Sequence, residues 1–397
     1  MCLFLPWPAI VSAQEFKDAL AEEPETARLH LGPLAVTPML EIRQVGVDTN
    51  VFNNGENVER DFTTAFGPRA RYWLRLGRLR LGGESGVAYH YFHEFSTQRS
   101  YGTDNELRLS LPLNRITPFV RGVYDNMRQR PDYEIDARIR TRTTILGGGV
   151  DLKASGRTTV TLQGEQGRLN YDDEAVYFGT RLGEALDRRT QLYRAAVRHR
   201  LTPLTTFVAV GDWRQDRFEF QPVRDADGYR VLGGFELDPL ALISGEAFVG
   251  YRSFTTLDAE VPDFDGVVAR TQVAYVLRAT KFAMSVERDT AYSFEIDEPF
   301  FVATDLLGEV TQKVTSNWDI LGRLGRQTLR YRRRLSVEAT PRTDTIWIAG
   351  GGIGRRVGRA SRIGFDVDRV RRQSPLPDRA FEGWRLGGSL TYGVQSP

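Results

Sequence analysis

The chain has 397 residues, a formal net charge of +2 and 26% charged residues. This balance excludes the strong overall field that draws a protein to nucleic acid, so no nucleic-acid partner is expected. Four of the 53 basic residues are lysines and the other 49 are arginines. Either a GC-rich genome or a role in recognising carboxylate, sulfate or phosphate groups explains this bias. The single cysteine, Cys2, excludes intrachain disulfides and a cysteine-based metal site.

The N-terminal run MCLFLPWPAIVSAQ is apolar and ends in small residues, which is typical of an export signal. Val11 and Ala13 fit the two small-residue positions of a cleavage site, so residues 1–13 are predicted to be a signal peptide. The alternative is a buried N-terminal strand. The run lacks a positively charged start, which indicates a start codon further upstream. Residues 14–33 are polar and predict a short periplasmic segment, a plug-like segment or a disordered tail.

Residues 69–95 alternate between polar and apolar side chains, as a strand pair does when its two faces meet different surroundings. Before the turn at Gly77, one face is apolar and the other carries arginines. The apolar face has Ala70, Tyr72, Leu74 and Leu76, and the polar face has Arg69, Arg71 and Arg75 with Trp73 among them. After the turn, the apolar face has Leu79, Leu81, Val87, Tyr89 and Tyr91, and the polar face has Arg80, Glu84, His90 and Glu94.

Short turn signals recur along the rest of the chain at spacings of 37, 41, 47, 36, 41, 44 and 35 residues. A period near forty is typical of a repeated hairpin with two long strands and one longer loop. The markers are Gly77, Asn114, Ser155, Thr202, Asp238, Ala279, Arg323 and Gly358. Nine longer polar stretches fall between these turns, among them NMRQRPDYEID and YDDEAVYFGTRLGEALD. The resulting seventeen connections predict eighteen strands.

The strands have about ten or more residues, which is enough to cross an outer membrane at a tilt. Short turns on one side and long loops on the other are typical of an outer-membrane barrel, whereas a soluble sandwich does not need that sidedness. We therefore predict an all-β fold over residues 34–397, a transmembrane antiparallel up-and-down β-barrel of about 18 strands (16–18). It is expected in the outer membrane of a Gram-negative-type envelope, with outer-membrane lipid and the barrel-assembly machinery as partners.

Arginines on the polar strand faces are the candidate functional residues, because they are expected to line the lumen and face anions. They are Arg69, Arg71, Arg75, Arg80, Arg138, Arg140, Arg142, Arg194, Arg198, Arg330 and Arg332. Rings of arginine are a means by which anion pores select, so anionic small solutes or polysaccharide are candidate cargoes. The equal alternative is a structural charge ladder with acidic partners such as Glu84, Glu246 and Asp366. Both roles are compatible.

Other motifs carry weaker signals. His90 and His93 lie on opposite faces of a strand and do not predict a metal pair. The run GGGIGRRVG (350–358) lacks the spacing of a phosphate loop and indicates strand packing or a bulge. Residues 225–228, DADG, match only part of a calcium loop and predict a hairpin loop. No serine and histidine form a recognisable catalytic pair. No catalytic residue, metal or cofactor is expected, and the chain is not expected to be an enzyme.

Several segments resemble a known family. VGVDTNVFNN (45–54) joins an early strand to Asp-x-Asn-Val-Phe, and a turn-plus-strand pattern recurs. It is seen in RITPFVRGVYD (115–125), RLTPLTTFVAVGDW (200–213) and LDPLALISGEAFVGY (237–251). Together these are similar to the putative β-barrel porin type 2 group, which includes barrels encoded beside exopolysaccharide and capsule genes. The resemblance implies an outer-membrane pore. The chain departs from many such barrels because its last strand ends at Tyr392 without a terminal phenylalanine.

These patterns favour a passive outer-membrane pore or a polysaccharide-export conduit with an arginine-rich lumen. A barrel of 16 to 18 strands leaves an aqueous lumen unless something plugs it. One alternative is a non-conducting scaffold or adhesin that acts through its extracellular loops. A barrel hydrolase is the least favoured alternative.

Overall fold

The computed structural model describes residues 20, 27–238, 241–338, 342–358 and 360–393. The predicted signal peptide, residues 1–13, lies outside the described residues, as does most of the segment 14–33. In the described part of the chain, no helix is long and apolar enough to cross a membrane.

Eighteen long antiparallel strands form one sheet in the described residues. The shortest has 11 residues and the longest has 16, more than the roughly 9–11 that a tilted strand needs to span a bilayer. They are β1 Leu34–Asp48, β2 Asp61–Leu76, β3 Leu79–Phe92, β4 Ser100–Ser110, β5 Ile116–Gln129, β6 Ile139–Lys153, β7 Thr158–Tyr171, β8 Arg188–Thr202, β9 Thr205–Phe218, β10 Ala226–Leu237, β11 Ile243–Thr256, β12 Phe264–Leu277, β13 Thr280–Tyr292, β14 Phe300–Lys313, β15 Trp318–Arg332, β16 Thr343–Val357, β17 Ser361–Gln373 and β18 Phe381–Tyr392.

The sheet closes on itself. Each strand pairs with the next along the chain, and β1 also pairs with β18, from Leu40 opposite Tyr392 to Asp48 opposite Arg385. Closure leaves no free edge, so every strand finds hydrogen-bond partners on both sides. The predicted all-β barrel of about eighteen strands is confirmed.

Short turns join the strands at one end of the barrel and longer loops join them at the other. The turn after β2 is only Gly77 and Arg78, and Gly77 has a φ of 62°, a left-handed backbone that glycine adopts at little cost. The opposite end has loops such as 49–60, 130–138 and 172–187. This end is extracellular in an outer-membrane barrel, and the even strand count leaves the start of β1 and the end of β18 on the periplasmic side.

A few smaller elements lie outside the barrel wall. A strand at Leu29–Leu31 folds back on β1, and the pair Val176–Tyr177 and Thr180–Arg181 forms a small hairpin that precedes helix α1, Leu182–Leu186. Three single 3-10 turns lie in the extracellular loops. They are Ser96–Gln98, Pro222–Arg224 and Pro377–Arg379.

Side chains alternate between the lumen and the outer surface. In β15, buried and exposed residues alternate almost without a break, with Leu321 buried and Ile320 and Leu324 exposed. The exposed apolar side chains face outward, where lipid rather than water surrounds them. Outward aromatic residues form two bands. The extracellular band includes Tyr124, Tyr193, Trp213, Tyr229, Tyr251, Trp347 and Trp384, and the periplasmic band includes Phe207, Phe235, Phe282, Trp318 and Tyr392.

Leu20 is the one described residue of the segment 14–26, and it is buried. It lies against Gly82, so closely that a side chain at Gly82 would overlap the backbone of Leu20. Gly82 shares the inward face of β3 with Glu84, so Leu20 lies inside the barrel.

Candidate pore constriction

The inward face carries arginines paired with carboxylates across neighbouring strands. Arg69 donates to Glu84 over 2.5 Å and lies 2.8 Å from Asp104, and Arg71 also donates to Glu84. Arg194 is buried and contacts Asp212 at 2.6 Å. Arg198 contacts Glu236 at 2.5 Å. The charges of these arginines are balanced by nearby carboxylates, as expected for a structural charge ladder.

Glycine allows some of these pairs to reach across an intervening strand. Arg121, Gly147 and Glu165 lie opposite one another on β5, β6 and β7, and Arg121 reaches Glu165 at 3.1 Å. Any side chain at Gly147 would collide with Glu165. Arg323 and Asp368 form the same arrangement across Gly350, on β15, β16 and β17. The glycine runs at 147–149 and 350–352 therefore have a packing role, and residues 350–357 are strand rather than phosphate loop. We call these paired sets the inner ion-pair rows.

Seven of the eleven candidate arginines lie on the inner side of the barrel. The register places Arg69, Arg71, Arg75 and Arg80 on one inward surface of β2 and β3 with Glu84. Arg194 and Arg198 lie inward on β8. Arg138 lies in the loop before β6, with its guanidinium 4.4 Å from the ring of Phe92.

The other four candidates face outward, which corrects the expectation from the sequence. Arg140 and Arg142 share a face of β6 with Leu146, which is 65% exposed, whereas Gly147 and Gly149 belong to the inward row. Arg330 and Arg332 share a face of β15 with the exposed Leu324. From alternation alone, arginine on a strand is expected to face the lumen. Near the extracellular rim, however, the outward face leaves the apolar layer and can also carry charge.

The loop between β5 and β6 folds into the barrel instead of extending away from it. In this inward loop, residues 130–138, the side chains of Glu134 and Ile135 are fully buried. Arg372 on β17, on the far wall, donates to the carbonyl oxygens of Tyr133 and Glu134 at 3.1 and 3.3 Å. It also contacts the carboxylate of Asp136 at 2.6 Å. The loop is therefore held across the lumen.

The tip of the β13–β14 hairpin also leaves the wall. The β12–β13 ladder ends at Ala269 opposite Arg288, whereas β13 and β14 stay paired as far as Tyr292 and Phe300. Four successive residues at this tip, Phe300 to Ala303, are buried, so the usual alternation is lost. Both faces of the tip are covered because it lies inside the barrel, between hydrophobic clusters on either side.

Two further loops complete a plug at the extracellular end. Leu182, Ala185 and Leu186 of α1 pack in one apolar cluster with Ile135 and Phe294. Buried Arg224 donates to the carbonyl oxygens of residues 293, 294 and 299, with 3.1 Å to Phe294 and 3.2 Å to Pro299. We call this assembly the cap. It consists of residues 130–138, 182–186, 222–224 and 293–299.

The inward loop and the β13–β14 tip meet at Glu134. Its carboxyl accepts hydrogen bonds from the Ser293 hydroxyl at 2.7 Å and the Phe294 backbone N–H at 3.1 Å. Burial, and then the nearby Asp132 carboxylate, raise the pKa of Glu134 to about 8. Burial also raises the pKa of Asp132 to about 6. The closed cap therefore favours the neutral form of Glu134.

A cavity of about 360 Å³ remains beside the inward loop, lined by β1 to β5, β15 to β18 and the loop itself. Arg130 and Arg138 line it, and among the described residues neither has a carboxylate partner. Burial lowers the pKa of both, and the positive charge of Arg385 lowers it further. Both arginines stay charged, as arginine does in proteins. The lining as a whole carries six arginines and seven acidic residues, so Arg130 and Arg138 are distinguished by their lack of an ion pair and not by a net charge of the cavity. A second cavity of about 120 Å³ lies toward β6 to β13.

The cap is the part of the site that the sequence analysis missed. It treated the nine longer connections as polar surface loops, although Tyr133 and Ile135 flank Glu134 within one of them. Two large apolar side chains in an otherwise charged loop are the signal that indicates burial.

The described residues contain no cluster of three or more histidine, cysteine, aspartate or glutamate residues that could hold a metal ion. His90 lies on the inward face of β3, and His93 lies in the following loop. Asp225 accepts a hydrogen bond from the backbone N–H of Phe218 at 2.7 Å, which is the role of a loop residue.

Comparison with known proteins matches the chain to one family and to several solved structures. The family model described as putative beta-barrel porin 2 matches residues 25–391. Among solved structures, the chain is similar to a BenF-like porin from Pseudomonas fluorescens Pf-5, with 11% identity, a TM-score of 0.48 and coverage of 90% of this chain and 98% of that one. It is also similar to the outer membrane protein opdK from Pseudomonas aeruginosa, with 9% identity, a TM-score of 0.49 and coverage of 90% and 98%. No curated protein matches the chain significantly in sequence.

Proposed function

The chain belongs to the putative beta-barrel porin 2 family, and from that premise we propose that it is a passive outer-membrane pore for small charged solutes. The transport route runs through the lumen beside the cap. The cap narrows this route, and the cavity of about 360 Å³ beside the inward loop is its constriction. A polysaccharide chain would have to displace the cap, so a small solute suits the geometry better than a polymer.

Weak anion preference follows from the charges around this cavity. Arg130 donates to the backbone carbonyl oxygens of Asp136 and Val51 at 2.6 and 3.0 Å rather than to a carboxylate, although the charges of Asp136 and Asp48 lie nearby. The Nε of Arg138 is buried without a hydrogen-bond partner among the described residues. Arg385 is paired with Asp48 at 3.2 Å. The two arginines without an ion pair, Arg130 and Arg138, are the observation that carries the proposal, because a narrow low-dielectric passage concentrates the field of such charges.

Reversal potentials in a salt gradient test the selectivity. The parent protein is expected to prefer anions, and Arg138→Gln is expected to lower the anion-to-cation permeability ratio. The matched control is the double variant Arg140→Gln with Arg142→Gln, which removes two charges from the same stretch of chain on its outward face. It should leave the ratio unchanged. Cation preference in the parent, or an unchanged ratio in Arg138→Gln, would contradict the proposal.

The cap itself favours a second candidate, a closed barrel that acts through its extracellular loops. Four loop segments pack tightly inside the barrel, and a permanently closed cap would prevent conduction. Single-channel recording on the parent separates the two candidates. The variant Tyr133→Gly with Ile135→Gly should raise conductance by removing two buried anchors of the inward loop. Silent bilayers with the parent, together with conduction in this variant, would favour the scaffold.

A further inference from the structure

Six arginines form a continuous basic surface on the outside of the barrel near its extracellular rim. Arg128 lies opposite Arg140 on β5 and β6, and Arg189 lies opposite both Arg168 and Arg217 on β7, β8 and β9. Neighbouring strands are about 4.8 Å apart, so these side chains are side by side. The outer arginine patch consists of Arg128, Arg140, Arg142, Arg168, Arg189 and Arg217.

The patch lies just outside the apolar layer. Tyr193 and Trp213 stack at 5.5 Å on the same outward face and belong to the extracellular aromatic band. Arg189 and Arg217 are each four residues closer to the extracellular rim, about 13 Å along a strand at roughly 3.3 Å per residue. Aromatic bands mark the membrane–water interface of such barrels. The patch is therefore at the level of the lipid headgroups.

The charges of the patch are only partly balanced by the protein. Arg168 pairs with Glu219 at 2.9 Å, and Arg217 pairs with Asp227 at 2.7 Å. Arg142 and Arg189 are exposed and have no hydrogen bond or ion pair among the described residues.

The remaining two arginines of the patch bond only to neutral groups. Arg128 donates to the carbonyl oxygen of Thr97 at 2.9 Å, and Arg140 donates to the side-chain oxygen of Asn126 at 2.8 Å. Like charges opposite one another on neighbouring strands destabilise a sheet, so anions from outside the chain would stabilise this arrangement.

We propose that the outer arginine patch binds the phosphate groups of an anionic lipid in the outer leaflet. A planar guanidinium matches phosphate geometry with two parallel hydrogen bonds, and several arginines in a row can hold more than one phosphate. The position of the patch at headgroup level selects a lipid rather than a soluble anion. This inference does not depend on conduction through the lumen.

A second surface repeats the arrangement on another part of the circumference. Arg326 lies 5.2 Å from the ring of Trp347, and Arg369 lies 5.6 Å from that of Trp384. Both tryptophans belong to the extracellular aromatic band. Further toward the rim, Arg330 and Arg332 on β15 are exposed without an ion-pair partner among the described residues. Arginine at the rim is thus a repeated feature of the outward face.

Binding of a phosphorylated lipid to the detergent-solubilised full chain tests the proposal. The probes are mixed micelles that contain a bisphosphorylated glycolipid, the same glycolipid after enzymatic dephosphorylation, and inorganic phosphate alone. The parent is expected to bind the first probe much more tightly than the other two. Arg142→Gln with Arg189→Gln should weaken that binding at least about tenfold, because each surface arginine contributes measurably to attraction by anionic lipid.

Arg355→Gln is the matched control. Arg355 is an exposed outward arginine beside Trp318 at the periplasmic end, and its loss should leave binding unchanged. Heat-modifiable gel migration checks that every variant is folded. Equal binding of the dephosphorylated lipid, equal binding of inorganic phosphate, or unchanged binding in the double variant would each overturn the proposal.

Discussion

The inner ion-pair rows and the outer arginine patch use the same side chain in opposite ways. Inside, Arg194 contacts Asp212, and Arg323 reaches Asp368 across Gly350. Outside, Arg189 lies between two other arginines. The arginines of the inner ion-pair rows are therefore matched within the chain, whereas Arg189 is matched only if the surroundings supply an anion.

The two faces differ because different counter-charges are available to their arginines. A buried charge without a partner is very costly, so the crowded lumen must hold its own counter-charges. At the rim, water and lipid headgroups are available, and an exposed arginine costs little by itself. The two regions should therefore respond differently to the loss of one charged group.

Removing a buried acid from the inner side should have the largest effect. Asp344 is fully buried and accepts hydrogen bonds from Arg342 at 2.7 Å and Arg372 at 2.6 Å. Asp344→Ala removes the carboxylate that both cations share and leaves Arg342 with Glu295 and Arg372 with Asp136. Loss of this buried partner should lower the free energy of unfolding by about 3–5 kcal/mol. Urea unfolding in micelles, followed by tryptophan fluorescence, measures the change. Arg330→Gln on the outward face is the control, and equal losses in the two variants would remove the distinction between the faces.

Introducing arginine on the outward face should have a depth-dependent effect. Val249 is 59% exposed and lies midway between the aromatic bands. Val249→Arg should cost about 2–4 kcal/mol because the bilayer midplane excludes charge, whereas Gln191→Arg, beside Arg189, should cost roughly 0–1 kcal/mol. Unfolding of both variants in lipid vesicles gives the comparison. Similar costs at the two depths would mean that the patch is not at headgroup level.

The cap should respond to pH, whereas the outer arginine patch should not. The folded cap raises the pKa of Glu134 to about 8 from an ordinary value near 4.5. Between these values the closed cap retains a proton that an open loop releases, so its stability falls as pH rises through this window and changes no further above it. Conductance should therefore increase from about pH 5 to pH 8.

Two variants identify the titrating group. Glu134→Gln should remove most of this pH dependence while keeping an acceptor for Ser293, whose hydroxyl donates to Glu134 at 2.7 Å. Asp132→Asn should remove only the part near its own pKa of about 6. If the conductance of the parent is constant from pH 5 to pH 8, the cap does not open with pH and the prediction is wrong. The positive charge of the outer arginine patch should stay constant over the same range, because arginine does not titrate there. Any pH dependence of lipid binding should come from the second ionisation of the lipid phosphates, at about pH 6.

Much of the architecture could be read from the residues in order. The spacing of turn signals predicts eighteen strands, and the length difference between the two sets of connections predicts which end is extracellular. One predicted turn is misplaced, because Arg323 lies within β15 and the short connection before β15 is 314–317. Alternation places Tyr193 outward and Arg194 inward, and both positions agree with the barrel. These features depend on neighbouring residues in one strand, because successive side chains of a strand point to opposite faces of the sheet.

The position of arginine rows near strand ends could not be read in this way. In β17, the outward row runs from Ile363, Phe365 and Val367 to Arg369 and Arg371. One face is thus apolar at the midplane and charged at the rim, because it passes from hydrocarbon to headgroups along its length. An arginine at a strand end therefore indicates either the lumen or the rim, as Arg330 shows.

By itself, the sequence determined the barrel, its strand number and its sidedness, because turns and alternation are local properties of the chain. Only the tertiary structure decided that Arg140 and Arg142 face outward while Arg138 lies inside. The pairing register between neighbouring strands determines which side chains of each strand face the lumen. It also decided that Glu134 meets Ser293, 159 residues away, inside the lumen. Contacts of that kind depend on closure of the barrel. Closure brings loops that are distant in sequence to one end, where their apolar residues pack together inside the lumen.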